Sequence, residues 1–258
     1  MVELASFWVG DPLGPIEIAS IKSFLRHGDS ITVFSPHALE LPEGAKWRDA
    51  NEIYPSETII RHRKTGSAAL HSDLFRYALM AKTDMIWVDL DVIALRKFDF
   101  ESEWVFGWES HSSINGAVLR LPKDSHALAA LLNLQPEFRG LPEYMSGFRR
   151  FRYHLKGLGK GLTIDRWPWG AIGPRAATHY LKKTGEISYA MPVSAFYSVP
   201  LVEASRFVTP GALSLAQVSP DAWGVHLWAK ELRHIIATEH GGGIPEGSFL
   251  DLALTEQL

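Results

Sequence analysis

The sequence contains no cysteine, which excludes both a disulfide framework and a thiolate metal site. It also lacks a run of about 18 consecutive apolar residues, so we expect no membrane-spanning helix. The first residues, MVELASFWVGDP, show no basic segment followed by an apolar core, and we expect no signal peptide. These absences favour a protein of the reducing cytoplasm.

An excess of charge of one sign is also missing. The formal net charge is -3 and the isoelectric point is near 6.4, with acidic and basic residues interspersed. A protein that binds polyanions is normally more basic, so we expect no nucleic-acid partner. No long Pro/Gly/Ser linker divides the 258 residues, which predicts one main domain.

The pattern of apolar residues predicts an α/β fold. The chain opens with a strand at 4–9, a helix that ends near Gly28 and a strand at 31–34. This opening lacks both GxGxxG and a lysine-bearing phosphate loop, so a dinucleotide site is not favoured. Further strands are predicted near Trp47 and at 104–108, 114–121, 187–191 and 224–227, and further helices at 127–134, with Ser125 as N-cap, and 174–183.

The most informative stretch runs from residue 72 to residue 95. Helical spacing of apolar residues at 69–81 predicts a helix, and 85–88 predicts a short buried strand that ends at Asp89 and Asp91. If the strand continued, both carboxylates would lie on one side, and a divalent cation would offset their repulsion. Open α/β sheets bind ligands at the carboxyl ends of their strands. Spacing alone leaves a pair of solvated turn acids as an equal alternative.

Four short motifs occur in order along the chain: FWVG at 7–10, SDLFRY at 72–77, VDLDV at 88–92 and HLW at 226–228. With them the sequence resembles glycosyltransferases of the GT-A fold whose sugar-binding region carries a DXD motif. That group includes yeast-type mannosyltransferases, α-1,4-galactosyltransferase-like enzymes and clostridial glucosylating toxins. The resemblance implies one GT-A-like domain over residues 1–240, with a mixed, mostly parallel central sheet and flanking helices. The tail at 241–258 begins with three glycines and is expected to be loosely attached.

The resemblance also implies an activity. The protein would be a metal-dependent, retaining hexosyltransferase that moves a hexose from a nucleotide diphosphate sugar, with a uridine diphosphate sugar favoured, to a hydroxyl of a saccharide or lipid-linked acceptor. Asp89, Asp91 and His226 would hold Mn²⁺ or Mg²⁺, which neutralises charge on the leaving diphosphate, so both aspartates would also be catalytic. The implied donor-binding residues are Trp8, which would stack on the nucleobase, Ser72, Asp73, Arg76, Asn115, Gly116, Trp228, which would donate to the diphosphate, and Lys230.

Several of these residues have simpler interpretations. Trp8 fits the core of the first strand, and Asp73 with Arg76 fits an intrahelical ion pair worth only ~0.2–0.5 kcal/mol. Asn115-Gly116 fits an ordinary turn, and a late histidine is often structural. On the acceptor side Asp165 is the candidate catalytic residue, because it precedes a rigid Trp-Pro-Trp-Gly loop and would contact the acceptor hydroxyl.

Residues 144–161 combine basic and aromatic side chains and contain no acidic residue. A solvated excursion over the sheet is the favoured interpretation, and the alternative is a peripheral contact with the inner face of a membrane or with a lipid-linked acceptor. Two other function classes stay open. A nucleotidyltransferase would need a glycine-rich triphosphate loop, which residues 10–14 match poorly, and a catalytically silent sugar-binding protein would lack the metal acids.

Overall fold

The computed structural model describes residues 3–10 and 12–258 and confirms the α/β fold predicted from the sequence. The expectations for the N-terminus and for the 10–14 loop fall partly on residues 1, 2 and 11, which lie outside the described residues. The strands are β1 (Glu3–Phe7), β2 (Ser30–Ser35), β3 (Lys46–Asp49), β4 (Ile86–Val88), β5 (Val92–Ala94), β6 (Val105–Ser110), β7 (Ser113–Arg120), β8 (Arg139–Gly140), β9 (Leu162–Thr163) and β10 (Gly224–His226). The α-helices are α1 (Pro15–Arg26), α2 (Ala69–Lys82), α3 (His126–Leu132), α4 (Gly147–Lys156), α5 (Pro174–Thr184), α6 (Ala229–Glu239) and α7 (Phe249–Leu254).

A six-stranded sheet in the order β3-β2-β1-β4-β7-β6 forms the centre of the molecule. The four strands from β3 to β4 are parallel, whereas β7 runs antiparallel to both β4 and β6. Strand β4 is apolar and buried throughout, and β2 is buried at every residue after Ser30, as expected for parallel strands that are covered on both faces. The mixed, mostly parallel sheet of the prediction is therefore present.

Helix α2 and strand β4 form as the sequence pattern predicts. The helix buries Leu74, Phe75 and Leu79 against the sheet, and Thr83 ends it with extended backbone. Strand β4 then runs through the core, with Trp87 almost fully buried, and delivers the chain to Asp89 at the carboxyl edge. A short turn, in which the Val92 amide donates to the Asp89 carbonyl, leads into β5.

A separate two-stranded ribbon connects this edge to the C-terminal part of the chain. Strand β10 pairs antiparallel with β5, and the register places His226 opposite Val92. The predicted strand at 224–227 is thus confirmed at 224–226, although it lies outside the main sheet. This pairing brings the late histidine next to the two aspartates.

Two expectations about secondary structure were wrong. Residues 186–189 form a 3-10 helix rather than a strand, and Met191 makes only an isolated bridge with Gly107. The solvated excursion expected at 144–161 contains the regular helix α4, none of whose residues is buried. The tail is not loose, because α7 buries Phe249 and Leu250 and packs against α1. Within the described residues, no helix combines the length and hydropathy needed to cross a membrane.

Candidate functional site

Asp89, Asp91 and His226 meet at the carboxyl edge of β4. Each offers one ligand atom, and these atoms lie within 4.8 Å of one another. The two aspartates belong to the turn between β4 and β5, while the histidine comes from β10. Potential cation ligands from two distant parts of the sequence therefore share one small volume.

Asp91 is held by a side chain and by the backbone of α6. His226 Nε2 lies 3.3 Å from Asp91 Oδ1, and the Ala229 amide donates to Oδ2 at 2.9 Å. Trp228 makes the second contact possible, because its left-handed backbone, φ 59° and ψ 53°, turns the chain from β10 into α6. Burial raises the pKa of Asp91, but His226 and the amide outweigh burial, and the net pKa lies below its usual value.

The histidine responds in the opposite direction. Burial lowers the pKa of His226, but the neighbouring Asp91 outweighs it and the net pKa lies above the usual value. Its other ring nitrogen, Nδ1, is buried and has no hydrogen-bond partner among the described residues. The Asp91–His226 pair is therefore held in place by the Ala229 amide at Asp91, whereas its imidazole keeps one nitrogen unpaired within the described residues.

Asp89 is held by two donors from the preceding elements. Arg76 Nη2 lies 3.0 Å from Asp89 Oδ1, and the Trp87 indole N–H donates to the same oxygen at 2.7 Å. Burial nevertheless dominates and raises the pKa of Asp89, with Arg76 and the nearby Asp91 acting in opposite directions. Because Oδ2 makes no hydrogen bond to the described residues, one oxygen of this carboxylate is available to a ligand.

Arg76 connects three parts of the site. Its Nη1 donates to the Gly116 carbonyl at 2.8 Å, and its guanidinium lies over the Trp87 ring at 4.7 Å. Asp73 Oδ1 is 3.8 Å from Nη1, one helical turn earlier on α2. A Cβ at Gly116 would lie 2.1 Å from Nη1, so the position of the arginine is enough to require glycine there. The arginine is thus fixed by strand β7.

Asp73 is buried and faces the start of α5. A Cβ on Gly173 would lie 2.7 Å from Asp73 Oδ2, so the carboxylate packs against this glycine. Burial raises the pKa of Asp73 to about 7, although Arg76 opposes the shift. The intrahelical ion pair considered from the sequence is present, but at 3.8 Å it leaves the carboxylate oxygens without a close donor from the residues that the structure describes.

A cavity of about 320 Å³ joins these side chains. It is lined by six of the residues predicted from the sequence, Trp8, Ser72, Asp73, Arg76, Asp89 and Asp91. Glu17 and Arg233 also line it and were not predicted. Buried Glu17 caps the Gly14 amide at 3.0 Å and pairs with Arg233, one turn after Ala229 on α6. The spacing of Arg233 after the HLW motif was the signal that could have identified it.

Tyr197 was also missed. Its side chain is fully buried, its ring lies beside those of His226 and Trp228, and its hydroxyl has no hydrogen-bond partner among the described residues. Burial raises the pKa of Tyr197, and Asp89 raises it further. No periodic pattern marks this residue, because it follows a short 3-10 helix, Val193–Ala195, in an irregular segment.

Three predicted site residues have different contacts. The Trp228 indole N–H donates to the Val199 carbonyl at 2.9 Å, so it is not directed at a diphosphate. The Asn115 amide group donates to Glu109 at 3.1 Å. Lys230 Nζ lies 5.8 Å from the centre of the Trp169 ring. None of these side chains lines the 320 Å³ cavity.

Asp165 lies in another part of the surface. It lines a larger cavity of about 680 Å³, together with basic and aromatic side chains that include Lys64, Lys156, Arg166 and Trp169. The structure therefore does not bring Asp165 together with Asp89 and Asp91, as a catalytic residue would require. Trp169 and Lys230 connect the two regions, since Lys230 follows Ala229 on α6.

The side chains at the carboxyl edge fit a divalent cation. Two carboxylates and an imidazole form a donor set that accepts Mn²⁺ or Mg²⁺, with nitrogen favouring the former. Asp89 retains a free oxygen, and the cavity is lined by more carboxylates than cations. A scan against protein-family models matched no family, and a search of curated proteins found no match. The resemblance to glycosyltransferases stays a prediction that rests on the residues of this chain.

Proposed function

We propose that the protein is a metal-dependent glycosyltransferase that transfers a hexose from a nucleotide diphosphate sugar, with uridine diphosphate favoured, to a hydroxyl of a saccharide or lipid-linked acceptor. The observation that supports this most strongly is the convergence of Asp89, Asp91 and His226 within 4.8 Å at the edge of a cavity lined by Asp73 and Arg76. In open α/β sheets, that edge is where ligands bind. The cysteine-free chain agrees with a cytoplasmic location, which is part of the proposal.

Asp89, Asp91 and His226 would hold the cation. When bound, Mn²⁺ or Mg²⁺ supplies Lewis-acid stabilisation of the charge on the leaving diphosphate. Asp91 is pre-positioned for this role, because the Ala229 amide and His226 orient its two oxygens. Arg76 holds Asp89 in place through a hydrogen bond to Oδ1. Binding of a cation would therefore require little rearrangement of the Asp89 side chain.

The rest of the cavity suits a nucleotide sugar. Trp8 offers an aromatic surface for a nucleobase, and Ser72 and Asp73 offer hydrogen-bonding groups for sugar hydroxyls. Arg233 is half-exposed at the rim and carries a positive charge that can reach a phosphate. Asp73 is protonated in part near neutral pH, since its pKa is about 7, and can therefore donate as well as accept.

The reaction consists of one bond exchange. The bond from the anomeric carbon to the diphosphate oxygen breaks, a bond to the acceptor oxygen forms on the same face, and the acceptor proton passes to the departing diphosphate. Among the described residues, four carboxylates line the donor cavity: Asp89 and Asp91, which are candidate cation ligands, Asp73 and Glu17. Glu17 pairs with Arg233 and accepts a hydrogen bond from the Gly14 amide. The proposal therefore names no covalent nucleophile.

The larger cavity supplies an acceptor site. Trp169 is half-exposed, as expected for a ring that stacks on a sugar, and Asp165 would bind acceptor hydroxyls rather than catalyse transfer. The cavity is more basic than acidic, which favours an acceptor that carries negative charge. Its position beside Lys230 and α6 relates it to the donor cavity.

The decisive experiment is a thermal-shift panel of nucleotide sugars with and without Mn²⁺. A ligand at about 100 times its Kd stabilises the folded state by ~2.7 kcal/mol, which is a measurable rise in Tm. We expect one nucleotide sugar to raise Tm only when Mn²⁺ is present, and Asp91→Asn to abolish that rise. Asp84→Asn is the matched control, because Asp84 is an exposed aspartate at the opposite end of β4.

Two results would contradict the proposal. If no nucleotide or nucleotide sugar shifts Tm with metal present, the donor site does not exist. If Asp91→Asn leaves the shift intact, the cation does not bind where proposed. Release of the free nucleoside diphosphate, measured with the nucleotide sugar identified in this way, separates an enzyme from a silent sugar-binding protein.

A further inference from the structure

Helix α4 exposes an apolar face that the rest of the described chain does not cover. None of its residues is buried, and its apolar residues Phe148, Phe151 and Leu155 recur at a spacing that places them on one side. They are 78%, 57% and 56% exposed, and Leu158 in the following turn is 87% exposed. Such contiguous exposed apolar surface normally marks an interaction site.

A basic stripe runs along this apolar face. Arg149, Arg152 and Lys156 repeat the same spacing one position later in the sequence, so they flank Phe148 and Phe151 on one side of the helix. None of the three forms an ion pair with a carboxylate among the described residues. Arg152 and Lys156 lie over the ring of Tyr153, at 5.9 and 4.9 Å from its centre.

The opposite side of α4 attaches it to the body of the protein. Tyr153 packs against the main core cluster, and Arg150 Nη1 contacts the carbonyls of Pro142 and Met145 at 3.4 and 3.3 Å. The helix is therefore fixed with its apolar side outward. Its anchoring side leaves the cations free to interact with an external partner.

We propose that α4 is a membrane-docking helix that lies in the surface of an anionic lipid bilayer. Interfacial helices combine aromatic and leucine side chains on one face with arginine and lysine beside them, and Phe148, Phe151 and Leu155 with Arg149 and Arg152 meet that description. The apolar rings enter the acyl boundary, while the long cationic side chains extend to the lipid phosphates.

The charge pattern distinguishes this occupant from a second copy of the chain. A symmetric contact through α4 would bring two basic stripes together, and like charges placed opposite one another disfavour association. An anionic bilayer instead neutralises them, at about one kcal/mol for each cation near its surface. The docking proposal does not depend on the proposed enzymatic function. It places the larger cavity, which Tyr153 and Lys156 also line, near the lipid surface.

The test is co-sedimentation of the full chain with vesicles. We expect binding to vesicles of phosphatidylcholine with phosphatidylglycerol and little binding to phosphatidylcholine alone. Phe151→Ser/Arg152→Glu should weaken the partition coefficient by on the order of 25-fold from the charge reversal alone, with a further loss from the ring. Because α4 buries no side chain, circular dichroism and Tm should match those of the unmodified protein.

A matched control changes the same two kinds of side chain elsewhere. Lys97→Glu/Val202→Ser alters an exposed cation and an 89% exposed apolar residue outside α4, and it should leave vesicle binding unchanged. Equal binding of Phe151→Ser/Arg152→Glu and the unmodified protein would overturn the proposal. So would a dimer in sedimentation velocity that this variant dissociates while vesicles fail to bind, which would assign the helix to a second copy.

Discussion

The contact between Gly116 and Arg76 allows a sharp test of how the site is supported. Replacing Gly116 with alanine adds one methyl group, whose position would be 2.1 Å from Arg76 Nη1. Because β7 is paired with β4 and with β6, we expect the guanidinium to move away rather than the strand backbone. It would then lose its hydrogen bond to the Gly116 carbonyl and its ion pair with Asp89.

The expected cost follows from these contacts. A hydrogen bond to a charged group contributes ~1.5–3 kcal/mol, and breaking a buried ion pair costs ~3–5 kcal/mol because an uncompensated charge remains. Since the Asp89 side chain is 30% exposed, the lower end applies. We expect Gly116→Ala to lower the free energy of unfolding by about 3 kcal/mol, measured by urea denaturation with tryptophan fluorescence.

A double-mutant cycle identifies the cause. In an Arg76→Ala background the clash no longer exists, and Gly116→Ala should cost less than about 1 kcal/mol, which gives a coupling energy near 2–3 kcal/mol. Gly107→Ala in the neighbouring strand is the matched control, because its added methyl would meet the Phe196 ring at 3.0 Å and the Met191 carbonyl at 3.6 Å, and not Arg76. The reasoning fails if Gly116→Ala is harmless alone, or if it is equally costly without Arg76.

Three further predictions concern single side chains in or around the two cavities. His71 is buried, and burial lowers its pKa from 6.5 to about 4. Its contribution to stability is therefore complete above pH 6.5 and is lost as the pH falls towards 4. His71→Gln should reduce this pH dependence of the free energy of unfolding by about 2 kcal/mol in urea titrations, and an unchanged dependence would refute the prediction. Tyr197→Phe removes a hydroxyl that has no hydrogen-bond partner in the described part of the chain, and it should keep or raise Tm while weakening Mn²⁺-dependent nucleotide-sugar binding in calorimetry; a large loss of Tm would show that the hydroxyl has a structural partner. Trp169→Ala should raise KM for the acceptor at least several-fold and leave the donor-induced Tm shift unchanged, and a reduced donor shift would contradict separate cavities.

The central part of the fold could be predicted because its signals are local. The apolar spacing of α2, the short run of β4 and the turn residues between them all fall within about 20 residues, and each element buries the side that the pattern indicates. The position of Asp89 and Asp91 followed from the end of that strand. Their convergence with His226 depended on the pairing of β5 with β10, which no local pattern contains.

Other features could not be predicted because no periodic burial marks them. Helix α4 has an apolar stripe but buries none of it, so its composition resembled that of a loop. Helix α7 is only six residues long and is stabilised by its packing on α1 rather than by its own sequence.

Trp228 shows a different limit. Because His226 and Trp228 are two residues apart, strand alternation predicts one shared face, and the two rings are in contact, with centroids 4.4 Å apart. The left-handed backbone at Trp228 is rare for a bulky side chain and cannot be read from alternation. It redirects the indole N–H to Val199 and places the next amide on Asp91.

The pairing of β5 with β10 also sets the order in which the molecule can be completed. About half of the chain lies between Asp91 and His226. A nascent chain that has been synthesised only as far as α5 contains both aspartates and Arg76, but neither the imidazole nor the Ala229 amide that hold Asp91. The two-aspartate turn must wait for the last part of the polypeptide to leave the ribosome, so a prematurely terminated product would carry the DXD sequence without its completed centre.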